Sequence, residues 1–239
     1  MVVWLFAGGG EAEVRGLVPF LEKHFGTYCR FERKTPVKYK PAGKPGKEAP
    51  SHGKTGTSLV KEVRRRMREA LKNEGSCQAV LVVDDLDCRP LDKAKEPLHK
   101  VVDECVDTGS IPVCIGFAAP ELEAWLIADW DNTLQSHPDF RSRAQHMRYQ
   151  LSADHNVPFE SPEDFGDLDE KTGSCRHKLS DALIESSIVA AKDSAKASEF
   201  KKARHTPELL PMADPQRVAR RCPIFREMWR CLIKLCVSN

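Results

Sequence analysis

The sequence predicts an α/β protein: a parallel sheet flanked by helices, with a helical carboxy-terminal part. Three observations predict it. Short continuous apolar runs at 2–6 (VVWLF), 79–83 (AVLVV) and 111–117 (IPVCIGF) suit strands buried on both faces. Between them lie stretches with apolar residues at helical spacing, the alternation that gives right-handed βαβ crossovers. After about residue 137 the alternation stops and only helical patterns return, so 1–136 reads as the α/β domain and 137–239 as a helical extension packed on it.

Taken in order, the first strand runs into Gly8, Gly9 and Gly10. From Glu11 to Phe25, residues Val14, Leu17, Val18, Leu21 and Phe25 recur at helical spacing and predict an amphipathic helix. Residues 27–33 (TYCRFER) fit a short second strand. The Pro/Gly/Lys-rich stretch 34–56 follows neither period and reads as a long loop. A helix starts at Ser58, with Leu59, Val63, Met67 and Leu71 on one face and Arg64–Arg66 largely on the other. The 79–83 strand ends in Asp84, Asp85, Leu86 and Asp87, and a helix covers about 91–107. After the 111–117 strand, APELEAWLIADW begins another helix with Pro120 in its first turn. Residues 151–180 are polar and loop-rich. Helical patterns return at 179–203 and at 214–236, the latter with Val218, Ile224, Phe225, Met228, Trp229, Leu232 and Leu235 at core spacing.

With 239 residues, 41% hydrophobic and 30% charged, the chain can bury a sizeable core, and a net charge of +2 selects no class of partner. The nine cysteines are odd in number, include no C-x-x-C pair and often sit in apolar stretches. They read as reduced, mostly buried thiols. A zinc site at Cys175 and His177 lacks four ligands at recognisable spacing. The amino terminus has no basic leader and no window is apolar enough to span a bilayer, so a cytoplasmic location is expected.

Chemistry is suggested by carboxylates placed just after strands: Glu11 and Glu13 after the first, and Asp84, Asp85 and Asp87 after AVLVV. Open parallel sheets form sites beyond the carboxyl ends of their strands. Acidic groups converging there can hold Mg²⁺ or Mn²⁺, which favour oxygen ligands and assist phosphodiester cleavage. The alternative is that these aspartates cap helices. A third acidic pair, Glu121 and Glu123, opens the helix after the 111–117 strand. Glu121 suits that helix's dipole, and Glu123 either does the same or turns inward.

The loop region carries Arg30, Arg33, Lys34, Lys38, Lys40, Lys44, Lys47 and Lys54 against Glu32 and Glu48, interleaved with Tyr28, Phe31 and Tyr39. Beside a metal site this suits a phosphate backbone, and Arg33 to Lys54 are the expected nucleic-acid contacts. A solvated surface loop is the alternative. HGKTGTS is not a phosphate-binding P-loop, because Glu48 stands where that motif needs its first glycine. AGGGEAE is not G-x-G-x-x-G, because its last position is Glu13.

Three motifs carry a resemblance: AGGGEAE at the first-strand turn, DDLD after AVLVV, and FAAPELEAWLIAD. Together, and with the closing PIFREMWRCL, the sequence resembles the Toprim superfamily of topoisomerases, primases and overcoming-lysogenization-defect nucleases. More narrowly it is similar to the Toprim-type domain of unknown function found beside ATPases in abortive-infection (AbiL-like) systems. The resemblance implies Mg²⁺ held between a first-strand glutamate and an Asp-x-Asp pair. Asp85 and Asp87 match the pair, with Asp84 as an alternative register, whereas Ala7 stands where the glutamate is expected. Glu11 matches the acidic position after the glycines, and Glu11 or Glu123 is the candidate to replace the missing carboxylate. The implied function is a metal-dependent nuclease effector of ATPase-associated antiphage defence. Its catalytic set is Glu11, Asp85, Asp87 and Glu123, and its metal set Glu11, Asp84, Asp85 and Asp87. The implied partners are DNA or RNA and an ATPase of the ABC/SMC-like type. The rival expectation, favoured by Ala7, is a non-catalytic Toprim-fold subunit that binds an ATPase or nucleic acid.

Overall fold

Four parallel strands, β1 (Val2–Ala7), β2 (Arg30–Thr35), β3 (Ala79–Asp85) and β4 (Val113–Ala118), form one sheet in the order β2-β1-β3-β4. The computed structural model describes residues 1–36, 54–73, 77–106, 111–191 and 198–237, without the side chains of 11–13. The crossovers contain α1 (Glu11–Phe25), α2 (Gly56–Asn73) and α3 (Leu91–Asp103). After β4 come α4 (Glu123–Ala128), α5 (Ala144–Ala153), a small β5–β6 hairpin (Leu168–Asp169 with Ser174–Cys175) and α6 (Leu179–Val189). The chain closes with α7 (Lys202–Leu209), α8 (Pro215–Arg221) and α9 (Pro223–Val237). This is the expected α/β class, a parallel sheet flanked by helices with a helical carboxy-terminal region, and it is consistent with a Toprim-like fold.

Strand periodicity divides the core in two. Leu5, Ala7, Leu81, Val83 and Ala118 face α1 and the carboxy-terminal helices, while Trp4, Phe6, Val80, Val82 and Phe117 face α2 and α3. The first layer is continuous from α1 through Trp125 to Phe225 and Trp229 of α9, so α1 and the carboxy-terminal helices together cover this face of the sheet.

Several boundaries differ from the sequence expectation. Cys29 N–H bonds back to Phe25 C=O, which ends α1 in a turn and delays β2 to Arg30. Pro120 lies in the turn before α4 rather than in its first turn, and the helix starts at Glu123. The 179–203 pattern resolves into α6 and the start of α7, and 214–236 breaks where Pro223 opens α9.

The cysteine expectation is also corrected. Cys29 pairs with Cys236 and Cys88 with Cys175, leaving Cys77, Cys105, Cys114, Cys222 and Cys231 as free thiols. The partners lie 207 and 87 residues apart in sequence, and only the fold brings their Cα atoms to 6.1 and 5.0 Å. Cys175 is therefore committed to a disulfide rather than to zinc. No described helix is long and apolar enough to cross a membrane.

Candidate functional site

Every residue of β3 is buried, so its last two carboxylates must enter opposite layers of the core. Asp84 continues the parity of Val80 and Val82, on the α2/α3 side. Its Oδ2 accepts hydrogen bonds from Gly56 N–H at 2.9 Å and from Arg89 Nη2 at 3.3 Å. Its Oδ1 is buried with no hydrogen-bond partner among the described residues. That oxygen packs against Gly8, where a Cβ would come within 2.4 Å, so this turn requires glycine by close approach. Burial pushes the Asp84 carboxyl up to about 6, against the pull of Gly56 N–H and Arg89. Asp84 thus caps α2 and anchors Arg89, whose Nη2 also lies 3.9 Å from Asp87 Oδ2.

Asp85 follows the other parity. It pairs in register with Ala118, whose side chain belongs with Ala7 and Val83 in the α1 layer. The turn beyond it is pinned to the start of the β4–α4 connection, because Leu86 N–H donates to Ala118 C=O and Asp87 N–H to Pro120 C=O. Asp87 and Cys88 adopt positive φ, 48° and 62°, a conformation costly for side-chain-bearing residues and typical of sites that the surroundings over-determine. Arg89 braces the turn, donating to Leu86 C=O at 2.8 Å and lying 3.9 Å from Asp87 Oδ2.

Glu121 and Glu123 are brought to the same layer, at 4% and 0% exposure. Glu121 was expected to serve the dipole of its own helix, but it precedes that helix and serves another. It accepts from Ser180 N–H at 3.0 Å and from the Ser180 hydroxyl, at the first turn of α6. Glu123 does turn inward and accepts from the Thr206 hydroxyl at 2.7 Å. Lys202 Nζ lies 3.3 Å from Glu121 and 3.1 Å from Glu123, the counter-charge that buried carboxylates require. Lys202 and Thr206 are delivered by α7, which approaches α1 so closely that a Cβ on Gly16 would sit 2.9 Å from Pro207 Cα. Sequence reasoning missed Lys202, Ser180, Thr206 and Arg89. Nothing in the local pattern KKARHT distinguishes Lys202, since its role comes from a contact 79 or more residues distant in the chain.

The expected metal set is only partly described. Glu11 opens α1 in the β1–α1 turn, but its side chain, like that of Glu13, lies outside the described residues. Among the described residues no group of three or more His, Cys, Asp or Glu is placed to hold a metal ion.

The expected nucleic-acid contacts divide as well. Lys34 is turned inward, 8% exposed, paired with Glu32 at 3.1 Å and 4.7 Å above the Trp4 ring. Lys54 pairs with Glu62 at 2.9 Å. Burial acts to raise the Glu62 carboxyl, but bonds from Arg65, Lys54 and Arg66 prevail and hold it at about 2. Arg33 is half-buried on β2, while Lys38, Lys40, Lys44 and Lys47 lie outside the described residues. Lys34 and Lys54 are thus engaged within the protein, rather than both extending as free phosphate contacts.

Residues 8–233 match the family model for a domain of unknown function, DUF4276. The chain belongs to the DUF4276 family. No curated protein and no solved structure matches it. The DUF4276 match spans the whole arrangement above, from the Gly8 turn through the β3 carboxylates to Lys202 and α8.

Proposed function

We propose that this DUF4276 chain is a Toprim-like, metal-dependent nuclease that hydrolyses phosphodiester bonds as an effector of ATPase-associated antiphage defence. The observation that carries the reading is the parity split of β3. Asp85 follows the parity of Val83, on the α1 side, and two residues on, the chain turns back through Asp87, which Arg89 approaches at 3.9 Å. A carboxylate pair spaced i, i+2 offers hard oxygen donors only. Mg²⁺ keeps several waters and is commonly held by one or two carboxylates, so Asp85 and Asp87 fit it by donor chemistry. Bound there, Mg²⁺ or Mn²⁺ would neutralise phosphate charge and lower the pKa of a water.

The protein's own groups have distinct tasks. Asp85 and Asp87 orient whatever binds at the end of β3, and Arg89 fixes the turn through the Leu86 carbonyl. Lys202 bridges Glu121 and Glu123, tying α7 to the β4–α4 connection. Glu11, at the head of α1, is the residue proposed to replace the glutamate missing at Ala7.

One observation favours the second reading, a non-catalytic subunit that binds an ATPase or nucleic acid. Ala7 is 4% exposed and its methyl is part of the apolar layer, which leaves no carboxylate at that position. The two readings separate on incubating the purified protein with plasmid DNA and with RNA in Mg²⁺ or Mn²⁺. Cleavage by the wild type that is lost in the Asp85→Ala/Asp87→Ala double variant supports the nuclease. Equal cleavage by both, or none by either, overturns it, and Ala7→Glu then becomes the variant expected to create activity.

A further inference from the structure

The opposite face of the sheet holds a pocket of about 450 Å³ between α2 and α3, a size within the roughly 300–1,000 Å³ of small-molecule sites. Val60 of α2 and Ala94, Pro97 and Leu98 of α3 form apolar walls, and Leu168 of the β5–β6 hairpin closes another side. The polar lining is concentrated where α2 and α3 begin: Gly56, Thr57, Arg89 and Lys93, with Asp84 as its buried member. Two helices of 18 and 13 residues direct their amino-terminal dipoles toward this end, and two cations outnumber one carboxylate. Gly56 and Thr57, which follow the GKT that fails as a P-loop, line this cavity. A second feature fixes its shape. Leu168 pairs directly with Cys175 across the hairpin, and Cys175 is bonded to Cys88 in the β3–α3 turn, so the disulfide fastens this wall to the cationic end.

We propose that this pocket binds a mononucleotide, the base between the apolar walls and the phosphate at Arg89 and Lys93. The cationic end selects the phosphate, and the apolar slot selects a flat ring. The pocket shares Arg89 with the turn that carries Asp87, whereas Asp85 faces the other layer.

Isothermal titration of the full chain with AMP and with GMP, with adenosine and inorganic phosphate as partial ligands, tests this. Saturable binding of a mononucleotide is expected, with each partial ligand weaker by roughly tenfold or more. Lys93→Glu, at an exposed position, is expected to weaken binding by roughly tenfold, and Val60→Trp to abolish it by filling the slot. Cys175→Ser is expected to weaken binding with little change for inorganic phosphate. No saturable heat with either mononucleotide at millimolar concentration overturns the proposal. So does wild-type affinity in Lys93→Glu, whose surface substitution leaves folding intact.

Discussion

Asp84→Asn separates the cost of burying a charge from the value of the hydrogen bonds around it. In the folded protein the Asp84 carboxyl is raised from its ordinary 3.8 to about 6, chiefly by burial, with Gly56 N–H and Arg89 already opposing the rise. At about 1.36 kcal/mol per pH unit, the difference corresponds to about 3 kcal/mol. Because the folded value is the higher one, the native state holds the proton more tightly. The contribution to stability is fully present below about pH 3.8 and is lost as pH rises through 6. Asn carries no charge and escapes that loss, while its amide oxygen can still accept from Gly56 N–H. Urea unfolding of wild type and variant at pH 4 and pH 7.5 measures the effect. The free-energy gap between them is expected to move by about 2 kcal/mol in the variant's favour from the lower to the higher pH, part of the full difference being already lost at pH 4. A gap that stays constant, or moves the other way, would refute the assignment of Asp84 as a buried charge under strain.

Three further outcomes are expected. Gly16→Ala inserts a methyl 2.9 Å from Pro207 Cα and should cost about 1–3 kcal/mol in denaturant unfolding while displacing Lys202; a silent substitution contradicts the close α1–α7 approach. Glu62 has a folded value of about 2 against an ordinary 4.5, so its contribution is present above 4.5 and lost as pH falls toward 2. With partly exposed partners it is worth about 1–2 kcal/mol, and Glu62→Gln should destabilise at pH 7 but converge with wild type near pH 2. Denatured without reductant, the protein should titrate five free thiols, and Cys175→Ser should lower stability by up to about 4–5 kcal/mol because the bond closes an 87-residue separation.

The sheet was legible because buried parallel strands announce themselves as apolar runs: VVWLF and AVLVV lie within β1 and β3. Amphipathic spacing likewise located α1, α2 and α9. Legibility failed where the deciding contact is distant in sequence. Glu121 was assigned to the nearest helix, yet its partner is Ser180; Lys34 and Lys54 read as loop cations, yet Glu32 with Trp4 and Glu62 engage them. The cysteine pairs were hidden for the same reason. The split between Asp84 and Asp85 was available in principle, since adjacent strand residues face opposite sides. It required knowing that β3 continues to Asp85 rather than ending at Val83.

That split also supplies the most direct test of the proposed site. Single-turnover cleavage of a labelled DNA or RNA strand in Mn²⁺ should be compared for wild type, Asp85→Asn and Asp84→Asn. If the hydrolytic face is the one carrying Asp85, that variant loses on the order of a hundredfold or more in rate, as for a lost metal ligand or its support, while Asp84→Asn stays within a few-fold of wild type. Equal loss in both variants, loss in Asp84→Asn alone, or no divalent-dependent cleavage by the wild type would contradict it.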